Sequence, residues 1–189
     1  MNDDIRKICI QHICDFLIQQ SEAFSKSASN TSVNHHSIVS SSSSTKISEQ
    51  IIEQVKSRSL DPDEALRFEV VQEILKAIKM SHNLVTSDLL NILKERTLDI
   101  KIKIRKSALQ GLAQLYKKVH AKNNSRDLVR LHKWIPSTIL KIYFQESIED
   151  KLMVERFLNS CIVPYTLGAR EKMAQLYYAF TTFDDYSIL

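Results

Sequence analysis

Only two glycines, Gly111 and Gly168, and three prolines, Pro62, Pro136 and Pro164, interrupt the 189 residues of this chain. So few turn-forming residues exclude an all-β fold, which needs many tight turns, and any phosphate loop built from glycines. Helices need few of either. Three cysteines, Cys9, Cys14 and Cys161, make no disulfide framework and point to a reducing compartment. Nothing resembles a signal peptide, and no apolar run approaches the roughly 20 residues of a membrane helix. The expectation is a soluble, intracellular protein with no membrane partner. Apolar residues at 43% and charged residues at 25% exclude a wholly disordered or collagen-like chain, and the length permits one or two compact units. What remains is an all-α fold.

Self-comparison sharpens that reading. Ser48, Ile51, Ile52, Val55, Lys56 and Arg58 recur thirty-eight positions later as Thr86, Leu89, Leu90, Leu93, Lys94 and Arg96. Leu60, Asp61, Leu66, Arg67 and Ile74 recur at the same offset as Leu98, Asp99, Ile104, Arg105 and Leu112. Each copy reads as an amphipathic helix, a short turn at Leu-Asp, and a second helix entered through an aliphatic-Arg pair. Neither helix can bury its apolar stripe alone, so the pair must stack on its neighbours in an α-solenoid.

The same pattern divides the rest of the chain. Residues 1–24 match the second helix of a preceding repeat, and 48–84 and 85–122 are two complete repeats. Residues 123–163 form a repeat with an insertion, its helices expected at Trp134 to Phe144 and Lys151 to Cys161, and 164–189 begin the next. Residues 25–47, rich in serine and ending near Ser40 to Ser44, cannot bury enough surface to fold and read as a flexible insertion, His35 and His36 being polar filler. Beginning and ending inside repeats, the chain reads as a piece of a longer solenoid.

A helix-pair period of this length with a six-residue Asp-to-Arg spacing resembles the HEAT class. Asp61, Arg67, Asp99, Arg105, Asp150 and Arg156 are read as an inter-repeat ladder, the Asp at a turn and the Arg reaching the Asp of an adjacent repeat. Cys9, His12 and Cys14 do not converge on one point of a helix, and a structural zinc needs four ligands, so no metal site is expected. No nucleophile elbow, HExxH or paired carboxylates occur, and an enzyme is not expected. One feature speaks of a partner. Between Lys94 and Lys133, twelve Lys and Arg stand against three acidic residues in a chain of net charge +4. Lys101, Lys103, Arg105, Lys106, Lys117, Lys118 and Lys122 are therefore candidates for binding a phosphate-rich ligand, an acidic peptide or a DNA backbone. Cations at a helix end suit its dipole while those at the start oppose it, and the cluster reads either as a solvated solenoid edge or as such a binding site.

The runs Arg58 to Arg67, Leu93 to Asp99, Arg105-Lys106 with Gly111 to Lys118, and Ile142 to Leu152 closely resemble the cohesin-associated "precocious dissociation of sisters" proteins, HEAT-repeat regulators of sister chromatid cohesion. Where that family commonly has an aromatic and extra arginines before the aliphatic-Arg pair, this chain has Ile102 and Lys103. The resemblance implies a nuclear, chromosome-associated, non-enzymatic adaptor. Such an adaptor docks on the kleisin subunit of the cohesin ring and recruits factors that release, protect or acetylate cohesin. It also implies inositol hexakisphosphate as a ligand of the basic surface, with Lys101, Lys103, Arg105 and Lys106 as contributors. Two other classes stay open, a transport-type adaptor and a direct nucleic-acid-binding solenoid. The positive cluster argues against the first, and the lack of aromatics interleaved with the cations against the second.

Overall fold

The two stretches related by thirty-eight residues fold alike, each as a helix, a short turn and a second helix. The computed structural model describes residues 41–80, 86–121 and 131–183, together with the single helical positions Ile8, Gln11, His12, Asp15 and Gln19. Within them α1 spans Ser41–Ser59, α2 Glu64–Met80, α3 Ser87–Arg96 and α4 Ile102–Ala121. Three more helices follow, α5 at Ile135–Ile142, α6 at Ile148–Phe157 and α7 at Ala169–Thr181; a π-helical turn at Leu158–Ile162 extends α6. No strand occurs among the described residues.

The turn chemistry repeats atom by atom. The Asp61 side chain accepts from the backbone N–H of Asp63 at 3.0 Å, as Asp99 does from Lys101 at 3.0 Å. Arg58 meets Asp61 at 3.7 Å and Arg96 meets Asp99 at 3.0 Å. Arg67 Nη1 donates to the carbonyls of Asp61 and Pro62, and Arg105 Nη1 to those of Asp99 and Ile100, all at 2.8–3.0 Å. One step earlier, the Ser59 and Thr97 hydroxyls donate to the carbonyls of Lys56 and Lys94. These side chains satisfy backbone groups that a helix end and a helix start leave without partners. The Asp-to-Arg spacing of six is thus what lets an arginine one turn into a helix reach back over the turn before it.

Burial follows the same register. Leu66, Val70 and Ile74 of α2 and Ile104, Ala108 and Leu112 of α4 are buried, at positions four apart that align on one face. Leu60 and Leu98, at the two turns, are exposed. Burial of each of the large aliphatics contributes about 2 kcal/mol.

The chain divides into two units, Met1–Ile92 and Leu93–Leu189, with the boundary inside α3. In the first, α1 packs on α2. Gln11 Nε2 donates to Glu69 at 3.1 Å, and Asp15 meets Lys76 at 3.6 Å. In the second unit α4 is the central helix: α5, α6 and the π-helical turn all pack on it, α5 also packs on α6, and α7 meets the π-helical turn.

Some boundaries differ from the sequence reading. Helix α1 starts at Ser41, so the helix takes in the last residues assigned to the insertion; the rest of that tract, with His35 and His36, lies outside the described residues. The second helix of the last repeat begins at Ile148, three residues earlier than expected, because Ser147 caps it and accepts from the Asp150 N–H at 3.3 Å. It then changes at Leu158 to the wider π turn, in which the Val163 N–H reaches back to the Leu158 carbonyl at 2.8 Å. Pro136 stands in the first turn of α5, where its missing N–H costs nothing.

Candidate functional site

The lysines singled out by the charge pattern lie mainly on α4. One exposed stripe of that helix carries Lys103, Lys106, Gln110, Gln114 and Lys117, spaced three, four, four and three residues apart. Lys101 is exposed just before the helix start, and Lys118 is half-buried beside the stripe. Lys117 Nζ donates to the Ser160 carbonyl at 2.9 Å, tying the stripe to the π-helical turn. Lys122 lies outside the described residues, as do Cys9 and Cys14; His12 is exposed.

Arg105 is used otherwise. Its Nε and Nη2 donate to the two carboxylate oxygens of Asp150 at 3.3 and 2.8 Å, while Nη1 holds the carbonyls of its own turn. The Asp150 side chain is 1% exposed and the Arg105 side chain 13%. A two-pronged pair so shielded pins α4 to α6, and every Arg105 nitrogen has a partner inside the protein. Arg105 therefore serves the fold, holding α4 to α6 and its own turn together.

Arg156, read from spacing as a ladder arginine, is exposed and stands on a groove between α4 and α6. Asp150 sits inside α6, unlike Asp99 in its turn, so an equal six-residue spacing does not give Arg156 a turn to reach over. Ile102, Lys106 and Gln110 of α4 line one wall of the groove. Glu149, Leu152 and Arg156 line the other, above a floor of Met153 and Phe157. The cavity holds about 570 Å³, within the usual range for ligand sites. Sequence reasoning missed the groove, although its α6 wall was legible: 149, 152, 153, 156 and 157 follow helical spacing.

What this arrangement can do is bind. Lys106 and Arg156 offer cations beside apolar surface, and Lys101 and Lys103 stand at the positive end of the α4 dipole. Elsewhere in the unit, Lys94 Nζ lies 5.0 Å from the centre of the Trp134 ring, a cation–π contact that also spends a member of the basic cluster on structure. Cys161 is half-buried and carries a free thiol. Among the described residues, no three His, Cys, Asp or Glu side chains converge as a metal set, and no helix is long and apolar enough to cross a membrane.

A titrating cluster lies at the far end of α4. His120 lies between the tilted rings of Tyr116 at 4.1 Å and Tyr178 at 5.0 Å between ring centres. Burial, and secondarily the nearby His132, holds the His120 pKa below the ordinary imidazole value; burial likewise pushes Tyr116 up, with Tyr178 adding to it. The unfolded chain takes up the His120 proton more readily than the folded one. Stability contributed here is thus complete above about pH 6.5 and falls as the pH drops through that value. Scanning calorimetry of the full-length protein between pH 7.5 and 5.5 is expected to show a falling midpoint, and His120→Phe is expected to flatten the fall. An equal fall in the variant would remove His120 from the explanation.

Comparisons with known proteins bear on the family and the fold class. The family profile described as "Sister chromatid cohesion protein PDS5 protein" matches residues 3–188. The human "Sister chromatid cohesion protein PDS5 homolog B" is 41% identical over 139 residues, 73% of this chain and 10% of its own length. The chicken homolog B is 39% identical over 143 residues, 75% of this chain and again 10% of its own length. The chain thus spans about a tenth of the length of the curated relatives it matches. A solved chain from "Structure of the Pds5-Scc1 complex and implications for cohesin function" superposes with a TM-score of 0.63 at 14% identity, over 76% of this chain and 23% of that one. The fold class, all-α with HEAT-type helix pairs, is shared with that structure.

Proposed function

The chain belongs to the PDS5 family of sister chromatid cohesion proteins, and from that premise we propose that it is part of a non-enzymatic, cohesin-associated scaffold working at chromosomes in the nucleus. The observation that carries the reading is the family match, which runs through nearly the whole chain. The scaffold docks on the kleisin subunit of cohesin and holds release, protection or acetylation factors in fixed relative positions. The related chain solved in a Pds5-Scc1 complex supports the kleisin as partner.

Physically, paired helices suit this work. Each pair is held by its own turn chemistry and by ion pairs such as Arg105–Asp150, so its outward side chains keep their places while partners come and go. A factor bound at one patch then biases the access of another through fixed geometry, which is a coupling free energy and needs no catalysis.

Titrating the full-length protein with a kleisin peptide and, separately, with duplex DNA across a salt series tests the reading. The expected result is peptide binding that changes little with salt. DNA binding that falls steeply with salt, together with no affinity for the peptide, would overturn it.

A further inference from the structure

We propose that the groove between α4 and α6 is a docking site for a short amphipathic helix of a partner protein, one that presents apolar side chains at helical spacing flanked by Asp or Glu. The inference goes beyond the cohesin reading, because it names a site and the chemistry of its occupant, and it holds whichever protein supplies that helix.

Three observations carry it. The first is charge: Lys106 on one wall and Arg156 on the other are exposed and cationic, and Glu149 is the single acidic residue among the side chains that line the groove. Carboxylates on both flanks of an incoming helix match the two cations, arginine taking a carboxylate through two parallel donors, and one Lys or Arg of the ligand suits Glu149. The second is apolar content. Ile102 and Leu152 are partly or largely exposed on the walls, Met153 and Phe157 form the floor, and Ile100 and Ile148, close by in sequence, are 89% and 74% exposed. A clustering of large aliphatics at one helix start and the facing one is the mark of an interaction surface. A bare polyphosphate or a DNA backbone would leave all of them in water, whereas an amphipathic helix covers them. The third is size: from Ile102 to Gln110 the α4 wall runs about 12 Å, which is two turns of helix and room for anchors at i, i+3 or i+4, and i+7.

The pair Arg105–Asp150 adds preorganisation. It joins the two helices that form the walls, so the groove keeps its width without a ligand and little ordering cost falls on binding.

The test is a selection on the full-length protein with a displayed library of random 16-residue peptides, counter-selected against the Lys106→Glu/Arg156→Glu double variant. Enriched peptides are expected to carry Asp or Glu next to Leu, Ile, Met or Phe at helical spacing. Measured by fluorescence anisotropy, a peptide from that set should lose at least tenfold in affinity on the double variant. It should stay within twofold on Lys133→Glu, which changes an exposed lysine outside the groove. Both groove positions are exposed, so the variants should retain the wild-type thermal midpoint. If the reversals shift it, Lys106→Gln/Arg156→Gln supplies the same comparison without reversed charge. Equal weakening by Lys133→Glu would reduce the effect to general electrostatics and sink the proposal. So would enrichment of peptides without acidic residues, or binding of inositol hexakisphosphate or duplex DNA through Lys106 and Arg156 with no peptide enriched.

Discussion

Asp150→Ala is expected to lower the stability of the second unit by about 3–5 kcal/mol, the usual loss when one partner of a buried ion pair is removed. The reason is the charge left behind. Arg105 would keep its hold on the Asp99 and Ile100 carbonyls, but Nε and Nη2 would face the site of the lost carboxylate with little water to replace it. Removing both charges is a different experiment. Arg105→Met with Asp150→Leu should recover part of the loss, since a shielded pair replaced by packed apolar groups of similar volume is often neutral, while the Asp99 and Ile100 carbonyls lose their Nη1 donor. Hydrogen exchange of the α4 and α6 amides in the full-length protein reads the effect locally, which suits a chain of two units better than one global transition. If Asp150→Ala changed protection in these helices by less than about 1 kcal/mol, the pair would be a surface feature and not the pin described above.

Leu66→Ala and Leu60→Ala should differ by several kilocalories although they remove the same atoms from residues six positions apart. Leu66 is fully buried, and its truncation leaves a cavity costing about 2–5 kcal/mol. Leu60 is 58% exposed at the turn, and its truncation should stay within about 0.5 kcal/mol. The contrast should recur thirty-eight residues on, large for Ile104→Ala and small for Leu98→Ala, because the register recurs with it. Exchange in α2 for the first pair and in α4 for the second is the measurement. Similar losses at Leu60 and Leu66 would mean that the two helices do not bury the faces assigned to them.

The repeat was legible because its offset is carried by residues with local jobs. Asp61 and Asp99 close their turns through a backbone N–H two residues on, and Arg67 and Arg105 reach back over the same turns. Such contacts lie within about six residues, so spacing alone encodes them. Legibility ended where the repeat became irregular. At Asp150 the six-residue spacing persists, yet the carboxylate lies inside a helix and the later arginine faces a groove, because the cap at Ser147 moved the helix start relative to the motif. Charge counting also reached its limit here. It grouped Arg105 with the lysines, and only coordinates show that this guanidinium is held by the buried carboxylate of Asp150.

By itself, the sequence determined the all-helical class, the helix-turn-helix period and the faces that go inward, since each follows from side-chain spacing and from hydrogen bonds between near neighbours in the chain. Tertiary structure alone decided that α4 is the central helix of the second unit, that its arginine is spent on Asp150 forty-five residues away, and that Lys106 and Arg156 flank one groove. Those are meetings of distant segments, set by how whole helices pack, and no local pattern of residues records them.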